Sequence, residues 1–349
     1  MAGDRLDISQ RKKDHLALCA SDKVGFRDKT TLLEEVELVH CALPEMHADE
    51  VDSQVEICGK TLRAPVVIAA MTGGTDQAAT INQQLAGLAE ELGLAMGLGS
   101  QRAMHERPET AWTFEVRQAA PTALIFGNLG LVQARAMTVP QIVDLCGRIG
   151  VDALCIHLNP AMEIVQPGGD RDFRGGLDTL RELVDKLEIP VIAKETGCGL
   201  SRAVGTLLRS VGIDWVDVSG AGGTSWVAVE AHRASGDARA LADELWDWGI
   251  PTAASLVALR GLGLRAIATG GLRTGSDVAR AIALGASAGG LAAPVLRALK
   301  EGGRDSAAGF LRGVVHTIRS LMLLTGSRTI EDLQRAPTIL GPRLARWAP

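Results

Sequence analysis

Eight short apolar runs, each leading into a stretch with helical periodicity, constrain this 349-residue chain more than any other feature. The runs are APVVIAA (64–70), LGLAMGL (92–98), TALIFG (122–127), DALCIHL (152–158), PVIAK (190–194), DWVDVS (214–219), LRAIATG (264–270) and ASAGGLA (286–292). Between them lie INQQLAGLAEEL, VPQIVDLCGRI, GLDTLRELVDKL and SDVARAIAL, whose apolar residues recur at helical spacing. Continuous apolar strands alternating with helices predict a parallel sheet covered by helices. Eight units predict a closed α/β barrel of the (β/α)8 TIM type rather than an open doubly wound sheet. The second and eighth runs, rich in Gly and Ala, are also compatible with helix. Ser276 or Gly275 is the expected N-cap after the seventh run. Residues 1–60 are polar and read as an N-terminal arm and substrate-covering segment, with the barrel domain at 61–349.

Composition narrows the rest. There are 40 glycines and no tyrosine, so the core must be built from Ala, Val, Leu and Ile. A net charge of -5 with no dense Lys/Arg run argues against a nucleic-acid partner. No stretch reaches the roughly 18 uninterrupted apolar residues of a membrane span. The opening MAGDRLDISQRKKDH lacks an apolar signal core, which predicts a cytoplasmic protein. Cys19, Cys41, Cys58, Cys146, Cys155 and Cys198 form no CxxC pair. They read as reduced thiols, and a zinc site is not expected.

The segments that close the runs carry the function. They read MTGGT, GSQR, GNLG, HLN, KETGCG, SGAGGT, TGGLR and LAAP. Barrel active sites are built from these carboxyl-end loops. One glycine after a strand is a tight turn; polar and glycine residues at all eight ends predict a ligand mouth. Gly271 and Arg273 after the seventh strand, with Ala292 and Ala293 after the eighth, suit a phosphate held by loop amides and a helix N-terminus. Lys194 ends an apolar strand, where a cation suits the N1/C2=O side of a flavin. Its competing reading is a salt bridge with adjacent Glu195. Thr72, Ser100, Asn128, Ser219 and Thr224 hold comparable positions, as loop caps or as hydrogen-bonding partners of a polar ring.

The fourth loop is the richest. His157 and Asn159 alternate at the strand end and so share a face. Glu163 comes four residues later, and its oxygens suit Mg²⁺ with diphosphate completing the shell. Taken singly, His157 is a structural histidine and Glu163 a solvated helix residue. Arg11, Lys12 and His15 in the arm read as a solvated basic face or as a flap over a diphosphate, with Arg102 as a further cation.

Together these segments resemble the type 2 isopentenyl-diphosphate isomerases. The matches are RKxxH (11–15), HxALPE (40–45), AMTGG (70–74), GSQR (99–102), GNLG (127–130), HLN (157–159) with Glu163 and Gln166-Pro167, KETGxG (194–199), SGxGGTSW (219–226), WGIPT (248–252) and TGGLR (269–273). They run in order over most of the chain. The resemblance implies FMN- and Mg²⁺-dependent interconversion of isopentenyl and dimethylallyl diphosphate without net redox, the flavin being reduced by NADPH. It implies FMN contacts from Ala70, Met71, Thr72, Gly73, Ser100, Asn128, Lys194, Ser219, Thr224, Gly271, Arg273, Ala292 and Ala293. Substrate contacts fall to Arg11, Lys12, His15, Ser100, Gln101, Arg102, His157 and Asn159, with Trp226 walling the pocket and Glu163 on Mg²⁺. It also implies a homo-oligomer, a tetramer or larger.

One departure stands out. Met162 occupies the place of a family glutamine set against the substrate's reacting end, and Gly168 that of an acidic residue. A thioether accepts weakly and has no proton to give. The alternative is therefore a related FMN-dependent isomerase- or cyclase-like enzyme on another prenyl substrate.

Overall fold

The computed structural model describes Leu18 and residues 22–348. Eight parallel strands close into a barrel: β1 (Val66–Ile68), β2 (Ala95–Gly97), β3 (Leu124–Gly130), β4 (Ala153–His157), β5 (Val191–Lys194), β6 (Trp215–Asp217), β7 (Arg265–Ala268) and β8 (Ala286–Leu291). All but β3 lie wholly inside one of the eight apolar runs; β3 starts in the third run and continues through GNLG to Gly130. The second and eighth runs are strands because each is paired on both sides: β2 between β1 and β3, β8 between β7 and β1. Parallel neighbours on both edges give the backbone groups their partners, which decides between strand and helix where side chains do not.

The helices begin and end on local signals. Helix Asp76–Leu92 starts where the Thr75 hydroxyl accepts the Ala78 amide and stops at Gly93, φ 65°. Helix Val139–Ile149 has a Thr138/Gln141 capping box and a Gly150 stop at φ 68°. Helix Gly275–Ala283 is capped by Thr274 with Asp277, one residue before the Gly275 expected at that end.

Helix Ala293–Leu324 is long and apolar enough to cross a membrane by length and composition. It breaks at Gly302–Gly303, buries residues such as Val295, Leu296, Leu311 and Ile318 in the barrel core, and pairs Arg304 and Arg312 with Glu91. It is an outer helix of the barrel.

The arm is not separate from the barrel. Val36–Leu38 pairs antiparallel with Thr338–Leu340, and Val55–Ile57 forms a hairpin with Lys60–Leu62. A boundary at residue 60 falls inside that hairpin, and Leu33, Val36, Val51 and Ile57 belong to the barrel's own core. Closer to the mouth, Gly25 bridges Thr224, and the Phe26 amide donates to Gly223 O. Val24, Gly25 and Phe26 thereby reach the cavity at the carboxyl ends of the strands.

Candidate active site

That cavity encloses about 510 Å³. Ala70, Met71, Thr72, Gly73, Ser100, Arg102, Asn128, His157, Asn159, Met162, Glu163, Lys194, Ser219, Thr224, Trp226, Gly271, Arg273, Ala292 and Ala293 all line it. Four of its lining residues are Arg or Lys (Arg102, Lys194, Arg273, Arg297) and one is acidic (Glu163), which favours an anionic ligand.

The β7–β8 side is made of backbone. Gly270 and Gly271 hold φ 97° and 81°, a conformation only glycine adopts freely. A Cβ on Gly271 would stand 2.5 Å from Thr31 Cγ2 and 2.7 Å from Gly222 C. Arg273 lies across the loop, donating to Gly271 O at 3.1 Å and Gly222 O at 3.4 Å. The two nearby helix starts differ. Thr274 and Asp277 occupy the first, whereas Ala292 gives the start of Ala293–Leu324 no side-chain cap. The uncapped end abuts the cavity, so its amides are left for an anion.

The β3–β6 side is made of buried side chains. His157, Lys194 and Asp217 are register partners across β4, β5 and β6. Lys194 Nζ donates to Asp217 Oδ2 at 2.7 Å and reaches Thr269 Oγ1 at 3.3 Å. Glu195 is therefore not the partner of Lys194. Alternation turns it to the opposite face, where one oxygen accepts the amides of Thr196 and Cys198. Burial pushes the Glu195 carboxyl up to about 7, against the pull of those amides and of Lys194.

His157 Nδ1 lies 2.8 Å from Asn128 Oδ1. Asn128 Nδ2 donates to Leu98 O, so the oxygen faces the ring and Nδ1 carries the proton. Burial first, then the Lys194 charge, pushes His157 down to about 4. The ring is neutral near pH 7, with Nε2 left as an acceptor.

Helix Pro160–Val165 starts from Asn159, which sits at φ 45°. Asn159 Nδ2 donates to Glu163 Oε1 at 3.1 Å and lies 4.0 Å from Met162 Sδ. Glu163 Oε2 accepts the Asp170 amide at 2.9 Å. Asn159 Oδ1 is buried and unpartnered, as is Thr196 Oγ1, and both residues line the cavity. Among the described residues no group of three or more His, Cys, Asp or Glu could hold a metal. Glu163 alone must rely on ligand oxygens to complete a cation's shell.

Gln101 is not among the residues that line the cavity: its side chain is wholly buried and its oxygen accepts the Asn128 amide at 3.0 Å, which braces the loop under the mouth. Arg11, Lys12, His15 and Cys19 lie outside the described residues. Thr196, Asp217 and Thr269 are site residues that the sequence did not reveal. Thr196 and Asp217 stand at strand ends like the residues that it did, and the parity that places Lys194 inward also places Thr196 inward.

FMN fits this cavity. The uncapped helix start and glycine loop suit its phosphate, and the opposite side offers Lys194, Asn128 and two oxygen atoms in need of polar partners.

Comparison with known proteins agrees. The profile of the FMN-dependent dehydrogenase family matches residues 157–339. The isopentenyl-diphosphate delta-isomerase of Methanothermobacter thermautotrophicus is 43% identical over 342 residues, covering 97% of this chain and 95% of that protein. That of Methanosarcina barkeri is 45% identical over 337 residues, covering 95% and 92%. That of Nostoc sp. is 42% identical over 344 residues, covering 96% and 97%. Among solved structures, a mandelate oxidase variant with a monooxide FMN adduct superposes with a TM-score of 0.64 at 19% identity, covering 91% of this chain and 94% of that one. A likeness at that identity speaks to the fold.

Proposed function

This chain belongs to the isopentenyl-diphosphate delta-isomerases and to the FMN-dependent dehydrogenase family, and from that premise we propose that it interconverts isopentenyl and dimethylallyl diphosphate with bound FMN. The observation that carries the reading is one cavity with two kinds of wall: a backbone anion cradle at β7–β8 and a polar, charged floor at β3–β6. Reduced FMN supplies proton transfer at an alkene carbon with no net oxidation of the substrate.

The chain's residues hold and orient. Gly271, Arg273, Ala292 and Ala293 receive the cofactor phosphate. Ala70, Met71, Thr72, Gly73, Ser100, Asn128, Lys194, Ser219 and Thr224 surround its ring. Arg102, His157 and Asn159 face the substrate diphosphate, joined by Arg11, Lys12 and His15 of the arm. Trp226 closes one wall, where an aromatic face favours developing positive charge. Glu163 would hold Mg²⁺ through its carboxylate, with ligand oxygens completing the shell. NADPH is the reductant, and the protein works in the cytoplasm as a homo-oligomer.

An anion delivered to neutral His157 draws a proton onto Nε2, converting an acceptor into a donor. Substrate binding is therefore coupled to proton uptake. Relatives that match nearly the whole chain carry the name isopentenyl-diphosphate delta-isomerase, which favours that reaction over another prenyl chemistry; Met162 sets a thioether, a weak acceptor with no proton to give, 4.0 Å from Asn159 Nδ2. The test is anaerobic incubation of the FMN-loaded, reduced protein with isopentenyl diphosphate and Mg²⁺, with the products read by NMR. Dimethylallyl diphosphate is expected; its absence with flavin bound rejects the proposal.

A further inference from the structure

A buried ion pair at the mouth of a barrel needs a reason. Taking Lys194 and Asp217 out of water is costly, and such pairs often add nothing to stability compared with apolar packing. Lys194 is 9% exposed and Asp217 6%, and they are neighbours in one hydrogen-bonded row. Asp217 is fully engaged: Oδ2 takes Lys194 Nζ at 2.7 Å, while Oδ1 takes the Ser219 amide at 3.1 Å and the Thr269 hydroxyl. Thr269 also stands 3.3 Å from Lys194 Nζ. Two of the three ammonium protons are thus directed to Asp217 and Thr269. Lys194 itself lines the cavity, which leaves the third for a ligand.

We infer that Asp217 is a positioning residue that, with Thr269, fixes the Lys194 ammonium beneath the flavin and offsets its charge, thereby setting the cofactor's reduction potential. The inference rests on the reading that FMN occupies this cavity with its ring over Lys194. Reduction adds negative charge to the ring, and a cation at the floor favours that form. Asp217 makes the floor neutral as a pair, so it holds the potential below what a lone lysine would give. A residue whose role was structural would alter stability and leave the potential where it is.

The experiment is an anaerobic spectroelectrochemical titration of the full-length, FMN-loaded protein. Asp217→Asn keeps the shape and removes the charge. It is expected to favour reduced over oxidised FMN about tenfold more than the wild type does, an upward shift of about 30 mV for a two-electron couple. An unchanged potential overturns the inference while leaving the cofactor assignment intact. Wild-type protein that takes up no FMN overturns both. Should the lone buried lysine prevent folding, Lys194→Gln and the double variant Lys194→Gln/Asp217→Asn decide instead. The single variant is expected to fall by about tenfold in the same ratio, and the double to return close to wild type because the floor is again neutral. A double variant that titrates like Lys194→Gln alone contradicts the inference.

Discussion

The two sides of the cavity are built from different materials. At β7–β8 the wall is main chain: glycines at positive φ, alanines, and a helix start without a cap. At β3–β6 it is side chain: half-buried His157 with buried Asn128, Lys194 and Asp217, bonded to one another in pairs. Main-chain donors carry no titratable proton, so the cradle should grip an anion equally across pH. The floor stores charge in a desolvated place, where small changes move proton affinities and cofactor energetics. One side fixes where the ligand sits, and the other fixes what it can do.

The largest effect should come from the floor. Lys194→Met is expected to lower isomerisation about 100-fold or more, the scale of losing one preorganised donor to developing charge, measured as kcat with FMN saturating. A variant within a few-fold of wild type would place Lys194 outside the chemistry.

Gly271→Val attacks the cradle. The new side chain meets Thr31 and Gly222 and must adopt φ near 81°, a strain of order 1–3 kcal/mol. FMN affinity should fall about tenfold or more, read by fluorescence titration, with the loss the same at pH 6 and pH 8. A strongly pH-dependent loss would erase the contrast between the two sides.

His157 makes the floor's pH dependence explicit. Its pKa is about 4 in the unliganded protein, against an ordinary 6.5. Pyrophosphate binding should take up a fraction of a proton at pH 7, and affinity should weaken as pH rises. Calorimetry in buffers of different ionisation enthalpy measures the uptake. His157→Gln should abolish it; uptake that survives belongs to another group.

Glu195 does not line the cavity and is expected to have the smallest effect on the reaction, acting on stability instead. Its folded pKa, about 7, lies above its ordinary 4.5. Its contribution to stability is complete below pH 4.5 and is lost as pH rises through 7. At about 1.4 kcal/mol per unit, Glu195→Gln should gain up to about 3 kcal/mol at pH 8 and almost nothing at pH 4. Thermal melts at the two pH values check this. An equal shift at both would mean that the charge is not the cause.

The barrel was legible because its strands are short runs of Val, Ile, Leu and Ala closed off by polar ends, and because eight of them leave few topologies. The cradle was legible for a related reason: glycine and alanine after β7 and β8 can do little else at a mouth. The floor was not. Asp217 lies 23 residues from Lys194, and only the closed register makes them neighbours. The short-range guess, Glu195, fails because adjacent strand residues face opposite ways. The orientation of Gln101 was not legible for the converse reason: past the end of β2 the chain turns into helix Arg102–Glu106, and strand parity no longer says which way a side chain points.

The central claim is that this cavity holds one flavin used for a double-bond shift without net redox. It is tested most directly by counting products against reductant. FMN-loaded protein, reduced anaerobically with a known amount of NADPH, is given excess isopentenyl diphosphate and Mg²⁺. Many equivalents of dimethylallyl diphosphate per NADPH oxidised are expected. One equivalent of product per NADPH, or flavin that stays bound while no product forms, would contradict the account.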